Sequence, residues 1–166
     1  FGNRAIRDIA WELLFSYPEG VFYKIMREEL GLLYSIDGSF DESLQMLAVR
    51  MSGEIGNAKK LVEEASKILL NPEKFLSEND LEVIKNLQIK RQEISSDNPY
   101  APVEFLSNTL LNYGVVEELS DYLEDLKSIR FADIKAFGQE IADKSSQSKI
   151  VVVSKNSEIN DLDLKV

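Results

Sequence analysis

Across a single glycine, the hydrophobic rhythm of this chain changes from that of a helix to that of a strand. In Phe22-Tyr-Lys-Ile-Met-Arg-Glu-Glu-Leu-Gly-Leu-Leu-Tyr-Ser-Ile36 the apolar residues Phe22, Ile25, Met26 and Leu30 recur at helical spacing. After Gly31 the pattern alternates, with Leu32, Tyr34 and Ile36 on one face and Leu33, Ser35 and Asp37 on the other. The switch predicts a helix from Val21 to Leu30, a corner at Gly31 and a strand from Leu32 to Phe40. It sets Arg27 in the last helical turn and Tyr34 early in the strand, a cation and a phenol side by side at a corner facing a shared cleft. Such a corner suits a polar ligand.

The other elements follow from periodicity and punctuation. Ile6, Ile9, Ala10, Leu13 and Leu14 form the stripe of a first helix, widened by Trp11 and Phe15 and broken at Pro18-Glu-Gly20. A turn around Asp41-Glu-Ser43 leads to a second strand, Leu44 to Met51, apolar on both faces apart from Gln45 and Arg50 and so expected to be central and covered, with Arg50 at a ladder end. The loop Ser52-Gly-Glu-Ile-Gly56 opens a helix with Leu61, Val62, Ala65, Ile68 and Leu69 inward, closed before Asn71-Pro72. Ser77-Glu-Asn-Asp80 has the spacing of a capping box, and its helix presents Leu81, Ile84, Leu87, Arg91 and Ile94; Lys85, Lys90 and Arg91 suit the dipole of its end. After the turn cluster Ser95-Ser-Asp-Asn-Pro99 comes a helix from Ala101 to Asn112 with Val103, Leu106, Leu110 and Leu111 inward and Gly114 as its C-cap. Two short helices, Glu117 to Lys127 and Phe131 to Ala142, precede a buried strand Lys149 to Val153 and a polar tail with Leu162 and Leu164 as clips. No internal repeat, low-complexity tract or linker interrupts the chain, so residues 1–166 read as one domain. The fold class is α+β: a small, mostly antiparallel sheet covered by several helices.

Length and composition bound the function. With 166 residues and 44% hydrophobic content the chain can bury a proper core. No apolar run reaches the roughly 18 residues of a membrane span. A formal charge of −10 disfavours nucleic acid and anionic lipid as partners and leaves a basic peptide compatible, although an acidic surface is ordinarily just a soluble one. The chain has no Cys and no His, which removes disulfides, thiolate zinc sites, cysteine nucleophiles and a Ser-His-Asp triad. The lack of Cys is compatible with either cytoplasm or periplasm. Gly53 and Gly56 with Ser52 lack the spacing of a phosphate loop. The pairs Glu28-Glu29, Glu63-Glu64 and Glu117-Glu118 are adjacent residues that point apart on a helix, and read as solvated faces rather than shared sites.

The run Met26-Arg-Glu-Glu-Leu-Gly-Leu-Leu-Tyr-Ser35 resembles the L-R-E-x-x-G-L-x-Y-S corner of the insulinase/pitrilysin metallopeptidases and mitochondrial processing peptidase, and more narrowly their C-terminal domain, which carries no zinc. The order of downstream elements is similar to the family's as far as Lys155; Leu126-Lys-Ser-Ile-Arg-Phe-Ala-Asp-Ile134 answers the family's I-x-x-V-T-x-x-D-V, with Asp133 as its first-turn acid. Tyr17-Pro-Glu-Gly-Val-Phe22 departs from the family's Gly- and Ser-rich turn with S-S-R-L-F. The resemblance implies a domain like one quarter of a clam-shell peptidase, with a first strand upstream of Phe1. The chain opens on Phe1 inside a helical pattern, so it reads as a fragment or as a chain whose earlier portion was processed or left out.

The resemblance also implies a function. Arg27 and Tyr34 match the family's substrate-binding Arg/Tyr pair. The zinc motif H-x-x-E-H cannot be built from a chain without His. No cofactor is therefore expected in this chain. Zinc, its ligands and the general-base Glu would come from a catalytic domain or partner subunit, and the pair would close on an unfolded peptide when the halves meet. The alternative is a catalytically dead scaffold that only assembles with partners. Taken without the resemblance, Arg27 also suits a last helical turn, paired with the dipole and with Glu28 or Glu29, and Tyr34 suits strand packing with a wet hydroxyl.

Overall fold

The computed structural model describes residues 3–16, 20–41, 46–145 and 149–151. Helix α1 (Arg4–Phe15) begins where the Asn3 side chain accepts the Ala5 N–H at 2.7 Å, and its apolar stripe places Ala5, Ile9, Ala10, Leu13 and Leu14 out of contact with water. A π-helix (Tyr23–Glu29), two strands (β1, Ser35–Asp41; β2, Met46–Ser52) and five further helices follow: α2 (Ala58–Leu70), α3 (Glu78–Ser96), α4 (Ala101–Tyr113), α5 (Leu119–Ser128) and α6 (Phe131–Lys144). Helix α1 packs against α3, α5, α6 and β1, and one buried cluster joins it to Phe22, Met26, Leu33, Leu61, Leu126 and Ile134. The architecture is α+β, a two-stranded antiparallel sheet with several helices.

The strands pair from Ser35↔Ser52 to Asp41↔Met46. Residues Ile36, Gly38 and Phe40 lie across from Met51, Val49 and Leu47 on one face; the other carries Ser35, Asp37 and Ser39 with Ser52, Arg50 and Ala48. Trp11 of α1 seats on the first face directly over Gly38, where an added Cβ would lie 2.0 Å from the indole. Trp11, Phe15 and Phe22 continue as a run of rings with centroids 4.2 and 4.9 Å apart, which anchors a sheet too small to stand alone.

Three helix boundaries match the sequence pattern closely. Ser77 and Asp80 form a reciprocal capping box at the start of α3; the hydroxyl of Ser77 hydrogen-bonds Asp80 and, with the backbone N–H of Ser77, holds that carboxyl below its ordinary range. Gly114 closes α4 in the left-handed region at φ 70°. Asp133 accepts the backbone N–H of Arg130 at 2.8 Å and caps α6 from its first turn.

Other expectations are corrected. Strand β1 starts at Ser35 rather than Leu32, because the N–H groups of Leu32 and Leu33 are spent on the Met26 carbonyl at the corner and both side chains are buried. Strand β2 is not a covered central strand: among the described residues it pairs with β1 alone. Arg50 stands within the ladder, in an exposed cross-strand ion pair with Asp37 at 2.8 Å. The described residues Lys149–Val151 form no strand, and Val151 is exposed. Pro18, the turn at Glu42-Ser43, Val152 and Val153, and Leu162 and Leu164 lie outside the described residues.

Helix α4 is the largest departure. Val103, Leu110 and Leu111 face outward, while Ala101 and Thr109 are buried and Phe105 is half-buried. The face in use is instead governed by a half-buried cation. The Arg4 guanidinium sits 4.9, 4.7 and 4.7 Å from the ring centres of Phe105, Tyr113 and Tyr122, and pairs with Glu117 at 2.8 Å. Satisfying that cation turns the aromatic side of α4 inward and leaves its aliphatic side uncovered. Glu117 is accordingly a half-buried ion-pair partner, not part of a solvated face. In α3, Leu81 and Ile84 are buried, but Leu87 and Ile94 are exposed. Two of its basic residues tie it to other elements: Lys85 is buried and donates to the Ile129 carbonyl at 2.8 Å, and Arg91 reaches Glu12 of α1 at 3.2 Å.

The Trp11–Gly38 contact is directly testable. Gly38→Ala is expected to cost about 1–3 kcal/mol through overpacking, read as a lower urea midpoint, with a shift of emission from Trp11, the single tryptophan of the chain.

Candidate functional site

The corner is built by hydrogen bonds that converge on one carbonyl. The segment Tyr23–Glu29 is wound as a π-helix, and Leu30 N–H closes it onto the Ile25 carbonyl at 2.9 Å. Gly31 then takes φ 61°, a conformation that side-chain-bearing residues rarely adopt. The chain folds back so that Leu32 and Leu33 N–H both point at the Met26 carbonyl, at 2.7 and 3.3 Å. Phe22 and Met26 are fully buried beneath it, whereas the wider π turn rotates Leu30 out of the expected apolar stripe to 37% exposure. The next N–H, that of Tyr34, donates to the Ser52 carbonyl at 2.8 Å and hands the chain to the β ladder.

The structure brings Arg27 and Tyr34 together. The Arg27 guanidinium lies over the Tyr23 ring, 5.1 Å from its centre, and donates to the Tyr34 main-chain carbonyl at 3.2 Å. The Tyr34 side chain is 60% exposed, one residue ahead of β1. Its hydroxyl donates to Glu54 Oε1 at 3.1 Å. That hydrogen bond, with the negative charge of Glu54, raises the phenol above its ordinary value of 10.0. The contact between the pair therefore runs through the backbone of Tyr34, and both side chains stand at the surface.

Glu54 has no signal in the sequence pattern. It lies in the loop after β2, as N-cap of the 3-10 turn Ile55–Asn57. Only the strand register reveals it: extending Ser35↔Ser52 by two residues sets Glu54 level with Leu33, beside Tyr34. Glu28 and Glu29 are exposed on the same turn as Arg27, and neither takes its guanidinium, which reaches the Tyr34 carbonyl instead. Ser35 and Ser52 share a hydroxyl contact at 2.6 Å at the adjoining end of the ladder.

The residues of this chain do not fit a zinc site: it has no His or Cys, and among the described residues no three carboxylates gather closely enough to hold a metal ion. Among the described residues no helix is long and apolar enough to cross a membrane. A cavity of about 460 Å³ opens between the start of α1, the end of α5 and the start of α6, among Asn3, Asp125, Arg130 and Asp133; no residue of the corner lines it.

No protein-family model and no curated protein sequence matches this chain. Among solved structures it is similar to the crystal structure of a conserved protein from Enterococcus faecalis V583, with a TM-score of 0.67 and 16% sequence identity over 82% of this chain. The match takes in 32% of that protein, so the chain spans about a third of the length of this neighbour. At this identity the likeness is one of fold.

The Tyr34–Glu54 contact has a spectroscopic consequence. In the ultraviolet titration of wild type minus Tyr34→Phe, the Tyr34 phenol is expected to ionise above the ordinary tyrosine range. Glu54→Gln should return it downward toward 10, because the neutral amide no longer opposes the phenolate.

Proposed function

We propose that this chain is the non-catalytic, substrate-binding domain of a zinc metallopeptidase of the insulinase/pitrilysin type, completing a peptide cleft opposite a zinc-bearing half. The observation that carries this reading is the Arg27–Tyr34 corner. Two polar side chains of different chemistry stand exposed on either side of Gly31, and the guanidinium is joined to the Tyr34 carbonyl. A guanidinium stays charged at any working pH and spends one N–H on that carbonyl, leaving others for a peptide carbonyl. A phenol is a single directional donor suited to an oxygen on which negative charge grows. Neither group can cleave a peptide bond, so the division of labour requires a second, catalytic half in the same chain or in a partner subunit. The metal belongs to that half.

A scaffold subunit that assembles with partners and cleaves nothing is the alternative, and the uncovered apolar side of α4 favours it, since Val103, Leu110 and Leu111 offer assembly surface with or without chemistry. The exposed Arg27–Tyr34 pair favours substrate binding, because the guanidinium keeps N–H groups beyond the one it gives to the Tyr34 carbonyl.

In the assembled enzyme, Arg27→Ala combined with Tyr34→Phe is expected to lower kcat/KM for an unstructured peptide by about 100-fold or more, the scale of losing a preorganised donor to the developing oxyanion. The circular dichroism spectrum and thermal midpoint of the chain should hardly change, since both side chains are exposed. Unchanged turnover in this double variant overturns the assignment.

A further inference from the structure

Helix α4 cannot keep both of its sides dry. Phe105 and Tyr113 hold its aromatic side to the Arg4 guanidinium, so a rotation that hid the aliphatic side would pull both rings off the cation. What stays uncovered is one continuous face. Tyr100, Val103, Ser107, Leu110 and Leu111 recur at helical spacing, and every one of them is exposed. Val115 and Val116 extend the apolar surface beyond the Gly114 cap. The six large side chains of this surface are each more than half exposed and together present on the order of 600 Å² of apolar area, the upper end of what a monomer ordinarily leaves bare.

We propose that two copies of this chain pair through α4, antiparallel about a two-fold axis at Ser107. Charge points to a like partner. The chain is 29% charged and carries −10, yet residues 100–116 hold one charged side chain, Glu104, so on this face two equally acidic molecules meet least repulsion. A basic partner would be drawn to the acidic surfaces instead. Shape points the same way, since a two-fold contact must be complementary to itself. With the small Ser107 at the crossing, Val103 of one copy lies against Leu111 of the other. The Tyr100 ring then falls over Gly114, where nothing stands within 4 Å of an added Cβ. Glu104 falls across from Leu110, not from its own mate. Doubled across the axis, the apolar face reaches about 1,200 Å², the lower limit of stable specific interfaces. Arg27 and Tyr34 lie outside this face, and pairing through α4 requires nothing of them.

Sedimentation equilibrium tests the pairing. Wild type should show a monomer–dimer equilibrium with a dissociation constant of about 10–100 μM, the scale of an interface at the lower size limit, and it should tighten as salt screens the net charge. Leu110→Glu with Leu111→Glu places carboxylates in the contact and should leave a monomer with an unchanged circular dichroism spectrum, since both side chains are exposed. The chain has no Cys, so a single introduced cysteine reports the register. Under mild oxidation Ser107→Cys should form an intermolecular disulfide at least about ten-fold faster than Glu63→Cys, which stands exposed on α2. A chain that stays monomeric up to about 1 mM overturns the pairing. A dimer that persists in the double variant overturns the assignment to α4, and equal crosslinking of the two cysteine variants overturns the antiparallel crossing.

Discussion

Helix α1 touches α3, α5, α6 and β1 at once, and the rest of the structure depends on keeping its five stripe residues dry. Burying a leucine or isoleucine contributes about 1.5–3 kcal/mol, so Ile9, Leu13 and Leu14 alone outweigh any single surface interaction in the molecule. The same helix carries Trp11, which seats the sheet through Gly38, and Arg4, which sets the rotation of α4 through three aromatic rings. One amphipathic segment thus fixes the position of the sheet on one side and the orientation of a peripheral helix on the other.

The corner at Gly31 inherits its rigidity from that core. Phe22 stacks on Phe15 of α1, and Met26 is fully buried four residues later. The carbonyl of Met26 then receives two amides from beyond the glycine. What is exposed at the surface, Arg27 and Tyr34, is therefore borne on a backbone whose interior side cannot shift without opening the core. A binding site made of exposed side chains needs such support, because a long arginine on a mobile loop loses in entropy what it gains in hydrogen bonding.

The sequence made the local rules visible and concealed the tertiary choices. The capping box at Ser77 and Asp80, the glycine cap at Gly114 and the corner at Gly31 were all legible, since each depends on residues a few positions apart. The α+β class followed from the change of hydrophobic period. The inward side of α4 was not legible, because the aliphatic Val103, Leu110 and Leu111 compete with a face that carries Ala101, Phe105 and Thr109. The decision lay with Arg4, more than ninety positions away in the chain and in need of aromatic and acidic company once half-buried. The burial of Lys85 is a case of the same kind, decided by the Ile129 carbonyl of a distant loop. At the candidate site, the closeness of Arg27 and Tyr34 was readable from one glycine and a change of period. That their contact runs through a main-chain carbonyl, and that the phenol belongs to Glu54, emerged only from the register of two paired strands.

The most direct measurement is cleavage of a mixed library of unstructured peptides by this chain alone, by a zinc-bearing half alone and by the two assembled, each with and without a metal chelator. A domain that binds substrate but lacks metal ligands should be silent by itself and restore chelator-sensitive cleavage on assembly. A complete, folded assembly that cleaves nothing would contradict the account and leave the chain a scaffold.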